Sequence, residues 1–255
     1  MLTILGGGGW FPAHGRHTAC ALLRRGEAAV MIDAGTGVGR LVERPGLLAG
    51  VRRLDIVLTH FHLDHVAGLA YLPAIGVCEQ TTVWGPGRLL YSVGTGELLD
   101  RVLREPFHPV PFEDQEIMVR DIPSGELDLG AFRVETRRQD RHSAPSLGLR
   151  FGDELAWITD TAYDPGSESF ARGCRLLAHE AWFMRSAPRN PDIHSSGEQA
   201  AKVAAAAGAD RLLVIHLPPF ERSLDALLPE IEAGFPRAQA AHDGLELQHV
   251  AEPAA

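Results

Sequence analysis

Cysteine is scarce in this chain: Cys20, Cys78 and Cys174 stand far apart among 255 residues, with no C-x-x-C pair. Neither a disulfide framework nor a structural cysteine–zinc site is indicated, and a reduced compartment fits. Positive charge is also short, with 24 Lys and Arg against 33 Asp and Glu, a formal net charge of −9 and a pI near 5.7. Such a balance does not suit a protein whose affinity comes mainly from coating a nucleic-acid backbone, so extended nucleic-acid binding is not expected. No long apolar segment is present, and the short run Met1-Leu2-Thr3-Ile4-Leu5 breaks into glycines without a basic leader. The expectation is therefore a cytoplasmic protein with no membrane partner. No internal repeat or linker divides the chain. At 45% hydrophobic and 22% charged, it is able to bury a large core, and one domain over residues 1–255 is expected.

What the chain does have is histidine and aspartate at the ends of apolar runs. Thr59-His60-Phe61-His62-Leu63-Asp64-His65 follows directly on Ile56-Val57-Leu58, which reads as a buried strand. In near-extended backbone, side chains two apart share a side, so His60 and His62 can grip one ion while Asp64 and His65, past the bend, face another. A helix from Val66 to Tyr71 should follow His65. The pattern recurs. His142 lies in the loop between the strand-like runs Phe132–Thr136 and Leu147–Phe151, and Leu155–Thr159 ends in Asp160, a carboxylate whose burial metal ligation would make tolerable. Leu176–Ala178 runs into His179-Glu180, and Arg211–Ile215 delivers His216. His194 precedes Ser195 and Ser196, either of which can cap an Ala-rich helix from Gln199 to Ala207 closed by Gly208.

Elsewhere the strand Leu2–Leu5 feeds Gly6-Gly7-Gly8-Gly9, which permits close backbone approach to a site or simply a sharp turn. Ala28–Asp33 ends in Asp33, placed either to orient a metal-bound histidine or to make an Asx turn. His108, between prolines, reads as a loop residue rather than a ligand. The region 73–123 says least, beyond a helical stretch around Leu98–Leu103.

Collected, the candidate ligands are His60, His62, Asp64, His65, His142, Asp160 and His216. Five imidazoles and two carboxylates with no thiolate suit two divalent ions, zinc first, with manganese or iron as alternatives. His60, His62 and His142 would hold one ion and Asp64, His65 and His216 the other, with Asp160 and a hydroxide bridging them.

This order of motifs resembles the metallo-β-lactamase superfamily over nearly the whole chain. The resemblance implies an α/β fold, a four-layer αββα sandwich. Leu5-Gly6-Gly7, Ile32-Asp33-Ala34-Gly35, Asp160-Thr161, His179-Glu180-Ala181 and His194-Ser195-Ser196 are similar to ribonuclease Z and related phosphodiesterases. That branch implies His194 as a phosphate-contacting general acid with Glu180 behind it, Asp64 steering the hydroxide, and often a homodimer. Two departures stand out: the long inserted arm of transfer-RNA-processing enzymes is absent between His142 and Asp160, and Leu217-Pro218-Pro219-Phe220-Glu221-Arg222 replaces the usual Ser, Arg and Tyr after the last histidine. A small anionic substrate, a phosphodiester or cyclic phosphate, is therefore expected. Arg137, Arg138, Arg141 and Arg150 form the basic cluster beside a motif, enough for a nucleotide-sized anion although strand alternation turns some of them away from the cleft. Lactone, thioester or β-lactam hydrolysis is the alternative. Transfer-RNA 3′ processing ranks lower, as does a non-catalytic binding role, since no ligand of the set is missing.

Overall fold

The computed structural model describes residues 1–76, 78–110, 116–220 and 224–248. The short apolar runs form two seven-stranded sheets. In chain order β1 (Leu2–Gly6), β2 (Cys20–Arg25), β3 (Ala28–Ile32), β4 (Arg53–Val57), β5 (Gln80–Gly85) and β6 (Met118–Asp121) build the first sheet. The second contains β7 (Glu126–Asp128), β8 (Arg133–Gln139), β9 (Ser146–Phe151), β10 (Leu155–Ile158), β11 (Leu176–Glu180), β12 (Arg211–Ile215) and β13 (Ala238–Ala240), after which β14 (Glu246–Leu247) returns to the edge of the first. The orders are β14-β1-β2-β3-β4-β5-β6 and β13-β12-β11-β10-β9-β8-β7. Each sheet is mixed: β3 to β6 are parallel in one and β10 to β13 in the other, with antiparallel strands on the far side.

Period-two alternation makes the layers. Leu23, Val30, Ile32 and Val57 from the first sheet pack with Leu149, Leu155, Trp157 and Ile215 from the second in one central core. The alternate residues Leu22, Met31, Leu54 and Ile56 face outward into a second cluster with Val66, Leu69 and Leu72. Ala156, Ile158, Leu212 and Val214 face outward into a third, covered by the helices Gly197–Ala207 and Leu227–Gly234. Strands buried on both faces need such near-continuous apolar runs. The result is helix, sheet, sheet, helix, the αββα sandwich.

Two details differ from the sequence reading, and the structure decides a third. In place of one helix over Val66–Tyr71 there is a short helix, Leu63–Val66, and then a tighter turn, Ala67–Tyr71. The Gly68 N–H donates to the Ala34 carbonyl at 2.8 Å, which pulls this segment onto the loop after β3. Within 73–123 the helical stretch expected around Leu98–Leu103 is Thr95–Asp100, and two strands were not foreseen. β5 is threonine-rich, and β6 is an edge strand with no fully buried residue. Ser196, not Ser195, caps the Ala-rich helix through a capping box with Gln199. Pro111, Glu221 and Arg222 lie outside the described residues. Among the described residues no helix is long and apolar enough to cross a membrane.

Candidate metal centre

The carboxyl ends of the parallel strands converge, which is where open α/β sheets place their ligands. β3 delivers Asp33, β4 the segment Thr59–His65, β10 Asp160, β11 Glu180 and β12 His216. Asp33, Asp160 and His216 all have left-handed backbone, with φ of 56°, 51° and 50°. Such conformations cost about 1–3 kcal/mol each in non-glycine residues and persist where the surroundings hold them.

Two donor sets result. His60 Nε2 lies 2.9 Å and His142 Nε2 3.2 Å from His62 Nδ1. Asp64 Oδ2 lies 3.4 Å from His65 Nε2 and 3.3 Å from His216 Nε2. Asp160 stands between the sets: Oδ1 is 3.5 Å from His142 Nε2 and 3.4 Å from His216 Nε2, and Oδ2 is 3.2 Å from His65 Nε2. Donors about 2.0–2.2 Å from a tetrahedral ion sit roughly 3.3 Å from one another, so these spacings fit.

The tautomers fit as well. His65 Nδ1 donates to Asp33 Oδ2 at 2.8 Å and His142 Nδ1 to the Ile193 carbonyl at 2.9 Å. The Thr59 hydroxyl donates to Asp33, so its oxygen accepts from His60 Nδ1 at 3.1 Å. Each of these rings therefore turns an Nε2 lone pair toward the cluster. Lone pairs from His60 and His142 both face His62 Nδ1, which carries at most one proton, and His65 Nε2 is buried with no hydrogen bond. A shared cation satisfies all of them, so the residues present fit two divalent ions with Asp160 common to both.

The electrostatics favour neutral ligands at His60 and His62. At His65, by contrast, burial is outweighed by Asp160, Asp33 and Asp64, which raise it well above the ordinary imidazole range, a proton that bound cations would displace. Burial, followed by His65, pushes His60 well below the ordinary imidazole range, and burial followed by His142 lowers His62, as neutral ligands require. Burial opposes the charge on Asp64, but His65 and His216 outweigh it and hold the carboxyl well below the usual range. Asp160 is held down in the same way, chiefly by His216 and His65. Gly9 lets its backbone lie against His216, since a Cβ there would lie 2.4 Å from the His216 ring. The next residue, Trp10, donates its N–H to Asp64 Oδ2 at 2.7 Å.

His194 belongs to the same cluster, with a ring nitrogen within 4.8 Å of ligand atoms of Asp160 and His216. Its Nδ1 donates to Glu180 Oε2 at 2.9 Å, while Glu180 Oε1 accepts the Thr161 N–H. The ring stacks on Trp182 at 4.7 Å and 21°. Burial lowers its proton affinity, but Glu180 reverses this and raises it above the ordinary value.

The structure thus brings together His60, His62, Asp64, His65, His142, Asp160, His216, His194 and Glu180, with Asp33 and Thr59 supporting them. His108 is elsewhere, hydrogen-bonded to the Ala70 and Val110 carbonyls, and His179 is buried outside the ligand groups. The basic cluster requires correction. Arg137 pairs with Asp164, Arg138 with Asp140 and Arg150 with Asp153, while Arg141 donates to the Tyr163 carbonyl. None of the four lines the cleft, a cavity of about 780 Å³; each is engaged by a partner outside it. Arg189 is the arginine that lines it among the described residues, beside Trp10, Trp182 and Phe220. Spacing gave no signal for Arg189, which lies in a proline-flanked loop; Trp182 could have been found from its place directly after His179-Glu180-Ala181.

Residues 29–217 match the family described as Beta-lactamase superfamily domain, and the chain belongs to that family. It is a hydrolase of the metallo-β-lactamase fold, with a His and Asp cluster suited to divalent metal. Among particular relatives, ribonuclease Z of Acaryochloris marina (strain MBIC 11017) is 26% identical over 310 aligned positions, covering 97% of both chains. That alignment is longer than this chain, so the relative has segments with no counterpart here. The metallo-beta-lactamase fold protein YhfI from Bacillus subtilis superimposes with a TM-score of 0.76 at 21% identity, covering 96% of this chain and 97% of its own. A diphosphatase from the PhnP family follows at 0.71 and 20%, covering 97% and 96%; at such identities the likeness is one of fold.

Proposed function

We propose that this protein is a dinuclear metal-dependent phosphodiesterase for a small phosphodiester or cyclic phosphate, acting as one domain. The observation that carries the reading is His194, which lines the cleft within reach of the ligand cluster while Glu180 holds its Nδ1 at 2.9 Å. Two divalent ions, zinc first and manganese or iron as alternatives, would acidify a water to supply the nucleophile and draw charge from the phosphoryl oxygens. His60, His62 and His142 with Asp160 would hold one, and Asp64, His65 and His216 with Asp160 the other.

The rest falls to the chain's own side chains. Glu180 commits the Nδ1 proton of His194, so the Nε2 proton is the one available to the departing alkoxide, and the same carboxylate stabilises the imidazolium before transfer. The stacked Trp182 ring fixes the plane in which that proton is offered. Asp64, with Trp10 N–H on one oxygen, is held in position to orient the attacking water.

A second reading, cleavage of precursor transfer RNA, is favoured by the relatives named ribonuclease Z. Against it stands the segment between His142 and Asp160, which holds only the β9–β10 hairpin and offers no arm for a large RNA. One panel separates the readings: metal-loaded protein with bis-p-nitrophenyl phosphate, a cyclic nucleotide, a lactone, a thioester, a cephalosporin and a precursor transfer RNA. Turnover led by the small diesters is expected. Efficient 3′ cleavage of the precursor with negligible diester turnover would reverse the order, and turnover confined to the carbonyl substrates would reject both.

A further inference from the structure

The mouth of the cleft has a composition that phosphate chemistry alone does not require. Trp10 is 64% exposed, Leu63 65% and Phe220 37%, yet all three line the cavity that holds His194 and the ligand cluster. They come from both sheets: Trp10 follows β1 and Leu63 follows β4, whereas Phe220 follows β12. Large apolar groups exposed together mark a binding surface.

Trp10 is held in place rather than trailing in solvent. Its backbone is left-handed, φ 64°, and its N–H is tied to Asp64 Oδ2 at 2.7 Å, so the indole position is coupled to a carboxylate of the cluster. Phe11 meets the indole edge-on at 5.0 Å. Beyond the cluster, the Arg189 guanidinium lies 4.5 Å over the Phe220 ring, which in turn packs edge-on against Trp182. No carboxylate among the described residues pairs with Arg189. A guanidinium stacked on a ring keeps its in-plane N–H donors for an anion.

These are flat groups, suited to a flat partner. Resting on the phosphodiesterase reading, we infer that Trp10 and the Arg189–Phe220 pair form a stacking site for a planar aromatic ring of nucleobase size, carried on one ester group of the substrate. The cavity volume of about 780 Å³ accommodates a nucleotide-sized molecule.

The test is calorimetric titration of the metal-loaded full chain with uridine 5′-monophosphate, ribose 5-phosphate and inorganic phosphate. The nucleotide should bind roughly tenfold or more tightly than the sugar phosphate, the usual worth of stacking one base. Trp10→Ala and Phe220→Ala should each bring that ratio toward one, and Trp10→Phe should restore part of it. Phe107→Ala, at a ring 76% exposed and outside the cleft, should leave the ratio as it is. Equal affinities in the wild type, or a preference that survives both alanine variants, overturns the inference. So does a wild-type dimer that Trp10→Ala splits while no nucleotide preference exists, which would mean that a second copy covers the apolar rim. If inorganic phosphate still binds and bis-p-nitrophenyl phosphate is still hydrolysed, such a failure removes the stacking site alone. Loss of both removes the phosphodiesterase reading beneath it.

Discussion

Asp33 is a residue whose replacement should separate fold from metal. It is fully buried, accepts the Thr59 N–H at 2.7 Å and hydroxyl at 3.0 Å, and lies 2.8 Å from His65 Nδ1. Asp33→Ala leaves the Thr59 N–H and the His65 Nδ1–H without an acceptor. Each orphaned buried donor costs about 1–3 kcal/mol, and alanine in left-handed backbone adds about 1 kcal/mol more. For a chain of this size a loss of ~3–7 kcal/mol lowers Tm by roughly 6–28 °C. Freed of its carboxylate, His65 should also bind its ion about 10–100-fold more weakly. Asp33→Gly orphans the same donors but suits the φ of 56°, so it should unfold less readily than Asp33→Ala while losing metal equally. Thermal unfolding and competitive chelator titration read the two effects apart. Wild-type metal affinity in Asp33→Ala would refute the supporting role, and recovery of metal affinity in Asp33→Gly would show that backbone strain, not the carboxylate, is what matters.

Other substitutions probe the neighbouring parts. Asp160→Ala removes the carboxylate that lies within 3.5 Å of His142, His216 and His65, so elemental analysis should find well under two ions per chain; full occupancy would reject the shared ligand. Glu180→Gln should move the alkaline limb of the pH–rate profile to lower pH, because burial then acts on His194 with less opposition. A folded-state value for His194 raised above about 6.5 stabilises the fold below that pH, and the contribution fades as pH rises through the raised value. An unshifted limb in Glu180→Gln would mean that the Glu180 carboxylate does not govern His194.

Most of the candidate ligands drew notice because they follow apolar runs, and a parallel strand buried on both faces has little other use for a histidine or aspartate at its end. His60, His62, Asp160 and His216 are all of this kind, whereas His142 sits in a loop between two strands. Asp33 was ambiguous for a physical reason, since a strand-end acid before Gly35 reads equally as a turn, and only the approach of Thr59 and His65 decides. β5 and β6 were missed because buried Thr81 and Thr82 break the apolar signal and an edge strand needs no buried face. The arginine cluster misled because strand alternation tells only that side chains divide between faces, while the pairing with Asp164, Asp140 and Asp153 that spends them is long-range or loop-borne. Arg189 and Trp10 carry no periodic signature; their place at the cleft is a product of the tertiary fold.

The central claim is that His194 delivers a proton to the leaving oxygen, and it is tested most directly by comparing two diesters in the metal-loaded His194→Ala variant. Thymidylyl-thymidine must expel an alkoxide, whereas thymidine 5′-p-nitrophenyl phosphate expels a stable phenolate. With metal content unchanged, kcat should fall roughly a hundredfold or more for the first and by about tenfold at most for the second. Equal losses for the two substrates, or a loss explained by departed metal, would contradict the account.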